Sequence, residues 1–136
     1  MPAKKKKMVK DSKKTILVIE DELPLLEAIQ RKLENVGFKT LTAQNTENAM
    51  SQLQEGAVID LVWLDHYIFG KEPGLLFIAE LKNEPKWSKI PVFVVSNASG
   101  PEKKQAYMSL GADKYYTKVD YKLEDICRDI EEFLNK

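Results

Sequence analysis

Short, unbroken apolar runs alternate along the chain with stretches in which apolar residues return every three or four positions. Ile16-Leu17-Val18-Ile19 is the first run, rich in β-branched residues and stopping at Glu20-Asp21-Glu22, the pattern of a parallel strand buried on both faces. Pro24 then suits the first turn of a helix, Leu26, Ile29, Leu33 and Val36 recur at helical spacing, and Gly37 stands where that helix should stop. Phe38 to Ala43 predicts a second strand, and Thr46 with Glu47 opens a second helix carrying Ala49, Met50 and Leu53. Ile59 to Asp65 predicts a third strand, again mostly apolar and again ending in an acid. Leu75 to Leu81 reads as a helix interior, with Pro85 and Pro91 bounding the loop after it. The fourth strand, Pro91 to Ser96, ends in a hydroxyl and an amide, Ser96 and Asn97. Glu102 to Leu110 predicts a helix stopped by Gly111, and Asp113 to Thr117 a short fifth strand. Leu123, Ile126, Cys127, Ile130, Phe133 and Leu134 mark one face of a last helix.

Five strands alternating with five helices predict an α/β fold, a doubly wound parallel sheet with helices on both faces. In the 2-1-3-4-5 order of this architecture strands one and three are neighbours, and ligands sit beyond the carboxyl ends of the strands. That rule gathers Glu20, Asp21, Asp65, Ser96 and Lys118 onto one rim.

With 136 residues the chain makes one domain with a real core. Cys127 stands alone, which excludes an internal disulfide or a cysteine metal cluster and fits a reducing compartment. No apolar run approaches a membrane span, and the first lysines are followed by polar residues and not by the apolar stretch of a signal peptide, so a cytoplasmic location is expected. The formal charge is zero but badly mixed: residues 1–14 carry seven lysines against Asp11, a net +6, which leaves −6 on the remainder. Residues 1–14 read as a solvated, disordered tail ahead of a domain at 15–136, and the acidic balance of that domain argues against DNA binding by the fold itself.

Carboxylates crowded at the ends of strands one and three repel unless a cation joins them. Hard oxygen ligands with room for water suit Mg²⁺, or Mn²⁺ in its place, and a cation there lets a dianionic phosphoryl group approach Asp65. Ser96 can donate its hydroxyl to that group, and Lys118 can supply a compact positive charge from the opposite wall. Each residue alone reads as a strand end; convergent polar groups of this chemistry on one rim read as a site.

ILVIEDE at 16–22, DLVWLD at 60–65, PVFVVSNA at 91–98 and LGADKYYTK at 110–118 together resemble the receiver domain of bacterial two-component response regulators, over residues 15–135. The resemblance implies a flavodoxin-like (βα)5 fold of the stand-alone type. It makes Asp65 the phosphoacceptor and Glu20 and Asp21 the acidic pair, with Asp21 the direct metal ligand and the backbone carbonyl of Tyr67 a further one. Ser96 matches the switch hydroxyl, Tyr115 the switch aromatic and Lys118 the family's lysine. A sensor histidine kinase or a histidine phosphotransfer protein would feed Asp65. Ser96 and Tyr115 would then rearrange the surface of the fourth helix, fifth strand and fifth helix, where a downstream output protein docks. A monomer or weak dimer is expected, and no enzyme beyond self-phosphorylation and slow loss of the phosphoryl group.

The chain departs from that pattern in three places. Val119 follows Lys118 where most receivers have a proline after a cis bond; cis before valine would cost about 3 kcal/mol, so a different approach of Lys118 is expected. Phe69 replaces a common proline, and GKEPG at 70–74 is one residue longer than the usual glycine spacing. Tyr67 is bulky where modest residues are common. We read it as a shield against in-line water, with the small Ala98 leaving room for the ring, which would lengthen the signal.

Other residues have plainer readings. His66, the single histidine, should face away from Asp65 if the strand continues, Trp63 belongs in the core, Trp87 is a surface contact or a loop anchor, and Cys127 repeats with a buried helix face. A magnesium phosphatase of aspartyl type would need an acid two residues after Asp65, where Tyr67 stands, and a flavin carrier would not place Glu20-Asp21-Glu22 against a phosphate. A phosphorylation-independent interaction module on the same fold is the alternative. The chain ends just after its last helix, so no fused output domain is expected.

Overall fold

The computed structural model describes residues 13–65, 73–97 and 101–135. Five strands, β1 (Thr15–Ile19), β2 (Lys39–Ala43), β3 (Leu61–Asp65), β4 (Val92–Ser96) and β5 (Lys114–Thr117), form one sheet in the order β2-β1-β3-β4-β5, every pair parallel. Between and after them come α1 (Leu23–Asn35), α2 (Thr46–Gln54), α3 (Pro73–Asn83), α4 (Pro101–Ser109) and α5 (Leu123–Leu134), with a short 3-10 turn at Lys118–Asp120.

The strand alternation sorts side chains into two cores. Ile16, Val18, Leu61, Trp63, Phe93 and Val95 pack with Leu26, Ile29 and Leu33 of α1 and Ile126, Cys127 and Ile130 of α5. Leu17, Ile19, Val62, Leu64, Val92 and Val94 pack on the other face against α2, α3 and Tyr107 of α4. Because both faces of β1, β3 and β4 are covered, those strands are apolar on nearly every residue until they reach their carboxyl ends.

Local signals set the helix ends. Asn45 caps α2, its Oδ1 accepting the Asn48 amide at 2.7 Å. Gly37 ends the first helix at φ +103, a conformation only glycine adopts without strain. Val36, expected on the buried face of that helix, is instead its exposed C-cap: the helix has already stopped, and the half-turn into Gly37 swings the side chain outward. Strand starts shift by one or two residues. Ile59, Asp60, Pro91 and Asp113 precede their strands, and Phe38 precedes β2 although it is buried. Trp63 and Cys127 are core residues, and Trp87 is a half-buried anchor against the core with Lys86 Nζ 5.9 Å from its ring.

Candidate functional site

The register explains why the rim residues meet. β1 ends opposite Leu64, so Glu20 emerges beside the last residue of β3, and Asp65 pairs with Val95, so Ser96 follows one step beyond. Ser96 in turn pairs with Thr117, which sets Lys118 at the next position outward. Alternation adds a second sorting. Glu20, Asp65 and Lys118 share the parity of the α1/α5 face, whereas Ser96 and Tyr115 share that of the opposite face, on which Tyr115 packs against the core.

Glu20, Asp21 and Asp65 each offer a carboxylate oxygen within 4.8 Å of the others. Glu20 and Asp65 are buried, and Asp21 is partly exposed at the lip. Burial, then the nearby charge of Asp65, pushes the Glu20 carboxyl up to about 8. Its Oε2 accepts the Glu22 amide at 3.1 Å, while Oε1 is buried with no hydrogen bond among the described residues. Lys118 Nζ lies 3.4 Å from Asp65 Oδ1 and 3.7 Å from Glu20 Oε1, so one ammonium bridges the two buried acids. The donor set is all oxygen, sets three carboxylates against one ammonium, and retains an unsatisfied buried oxygen; this is the chemistry of a hard divalent cation site.

Val119 follows the lysine in an ordinary trans turn. Among the described residues there is no cis peptide bond, and β5 runs directly into the 3-10 turn, which leaves Val119 exposed and brings Lys118 inward. The lysine reaches the acids without a proline after it. Ser96 is fully buried at the carboxyl end of β4, and Tyr115 is half-buried with its ring 6.0 Å from Tyr107. His66, Tyr67, Phe69 and the extra loop residue lie outside the described residues, as do Ala98 and residues 1–12.

Two acids at the opposite end of the sheet escaped the sequence reading. Asp60 Oδ2 accepts the Thr15 amide at 2.8 Å and Asp113 Oδ2 accepts the Val92 amide at 2.9 Å, so these aspartates seal the amino ends of β1 and β4. An acid in the first two positions of a predicted strand is the signal that marks them.

The arrangement defines a class: a parallel doubly wound protein whose strand ends carry an acid cluster beside a lysine. The chain matches the response regulator receiver domain family over residues 16–131 and belongs to it. It is 37% identical over 103 residues to the phosphate regulon transcriptional regulatory protein PhoB of Escherichia coli K12, covering 76% of this chain and 44% of that protein. The chain thus spans about half the length of the curated relatives it matches. Among solved structures, the phosphorylated cyanobacterial phytochrome response regulator RcpA superposes with a TM-score of 0.78 at 28% identity, covering 90% of this chain and 94% of that one. The Mn²⁺-bound response regulator Rcp1 does so at 0.76 and 25% identity, covering 89% and 94%.

Proposed function

We propose that this receiver domain accepts a phosphoryl group on Asp65 from a histidine kinase or a histidine phosphotransfer protein and signals by docking on an output protein. The observation that carries the reading is Asp65 itself, buried at the end of β3, within 4.8 Å of two other carboxylates and 3.4 Å from Lys118 Nζ. An Asp65 carboxylate oxygen attacks phosphorus, the P–N bond of the phosphoimidazole breaks, and its electron pair stays on the imidazole nitrogen. The product is a mixed anhydride. Lys118 is placed to follow the incoming charge from Asp65 to the phosphoryl oxygens, and Ser96 to donate its hydroxyl to one of them.

Asp21, Asp65, Glu20 and the backbone carbonyl of Tyr67 would hold a Mg²⁺ or Mn²⁺ ion, which when bound offsets the carboxylate charge that would otherwise turn a dianion away. The Mn²⁺-bound relative and the phosphorylated one support both halves of this reading. Tyr115 serves as the switch aromatic, and the face of α4, β5 and α5 as the output surface. The two states differ by a few charge-assisted bonds at Asp65. The protein turns over no substrate beyond its own phosphoryl group, acts in the cytoplasm as a monomer or weak dimer, and its fold does not bind DNA. Among the described residues no helix is long and apolar enough to cross a membrane.

Incubation with Mg²⁺ and a small acyl-phosphate donor, followed by intact mass measurement, tests the proposal. One added phosphoryl group is expected on the wild type and none on Asp65→Ala. No addition to the wild type, under conditions that load a known receiver, would leave the interaction module as the better account.

A further inference from the structure

Helix α4 is almost entirely surface. Tyr107 is the one residue of that helix that is buried, and it is buried completely. Among its contacts, two reach neighbouring elements. The ring lies 6.0 Å from that of Tyr115, inclined by 40°. Its hydroxyl end bears on the start of α3, where a β-carbon built on Gly74 would lie 2.5 Å from Tyr107 Oη and 3.4 Å from Cζ. Gly74 has no positive φ to explain it. The position is glycine because the tyrosine oxygen occupies the space of a side chain. Gly74 is the second residue of α3, at the end of the segment that leaves Asp65.

We propose that Tyr107 is a positioning residue that ties the start of α3 to Tyr115 and α4 through one rigid ring. A helix held by a single buried side chain moves at low cost, and the close packing around that side chain passes its displacement to whatever it touches. Tyr107 meets the start of α3 with its hydroxyl and lies beside the aromatic of β5, so a change on either side is felt by both. The functional meaning rests on the switch reading of Asp65, but the contact can be judged without phosphate.

The test is a mutant cycle on the full chain, read by amide NMR and thermal unfolding: wild type, Gly74→Ala, Tyr107→Phe and the pair. Gly74→Ala is expected to shift amides throughout residues 101–109 and 114–117 and to raise the unfolding constant. In the Tyr107→Phe background, where only ring carbons at 3.4 and 3.5 Å remain, the same methyl should cost about fivefold less and leave those amides in place. Shifts confined to α3, or shifts that persist undiminished in the paired variant, overturn the proposal. A second arm adds Mg²⁺ and acyl phosphate: Tyr107→Leu should load Asp65 at the wild-type rate while the shifts that loading causes in 114–117 shrink. Shifts of undiminished size overturn the coupling. Failure of the wild type to load overturns the reading of Asp65 instead, and the cycle still decides the contact.

Discussion

Lys118 stands beside two acids that water scarcely reaches, 3.4 Å from Asp65 Oδ1 and 3.7 Å from Glu20 Oε1, and its ammonium offsets part of their charge. Removing one partner from such a group leaves uncompensated buried charge. Lys118→Met should therefore lower stability by about 2 kcal/mol in chelator, with part of the loss returned by Mg²⁺. Thermal unfolding with and without EDTA reads this; equal losses in both buffers would mean that lysine and cation do not share the site. A second residue carries a pH signature. Burial raises the Cys127 thiol from the ordinary 9.0 to about 11. The folded state then holds a proton that the unfolded chain releases, so its contribution is complete below pH 9 and is lost as pH rises toward 11. The wild type should lose about 2 kcal/mol more than Cys127→Ala across that window, measured by denaturant unfolding at fixed pH steps; parallel pH profiles would contradict it. Tyr67 is judged by kinetics: aspartyl phosphate should decay faster in Tyr67→Asn, and equal or slower decay would end the shielding idea. The acids, Ser96 and Lys118 were legible because each stands at the carboxyl end of a predicted strand. Tyr107 was not, because a tyrosine in a helical stretch announces neither its depth nor the glycine it displaces.

At the scale of elements, helix ends were readable and strand starts were not. Gly37 and Gly111 adopt the positive φ that their positions after apolar helices imply. Gly37→Ala should cost about 1 kcal/mol through that angle alone, since nothing lies within 4 Å of an added β-carbon. A neutral or stabilising substitution in thermal unfolding would show that the turn relaxes. The strand starts were set too early because Ile59 and Phe38 are apolar and buried while outside the ladder. Periodicity reports burial, and pairing is a separate property. The same limit hid the roles of Asp60 and Asp113, whose carboxylates bond to amides at the starts of strands forty-five and twenty-one residues away in sequence. Helix α4 differs from the others in kind: it buries one residue, Tyr107, as the proposed movement of that face requires.

For the whole molecule, the strand order could be anticipated because alternating strands and helices admit few right-handed arrangements, and that order alone carries residues 20, 65, 96 and 118 to one rim. What the order could not give was the sorting of that rim by face. The acids and lysine lie on the α1/α5 side, while Ser96 and Tyr115 lie on the side of α2, α3 and α4. Under the proposed function, a phosphoryl group on Asp65 would be held from one side and sensed from the other. Divalent cation should stabilise the entire fold, because a ligand that binds only the native site raises the unfolding free energy; Mg²⁺ is expected to raise Tm in the wild type and to do so far less in Asp21→Asn. An equal rise in both would remove Asp21 from the ligand set. The central claim, that Asp65 carries the phosphoryl group, is met most directly by borohydride reduction after acyl-phosphate treatment, followed by peptide sequencing. The account predicts homoserine at position 65 and its absence when Mg²⁺ is chelated. An intact aspartate at 65, with the reduction product at another carboxylate, would contradict it.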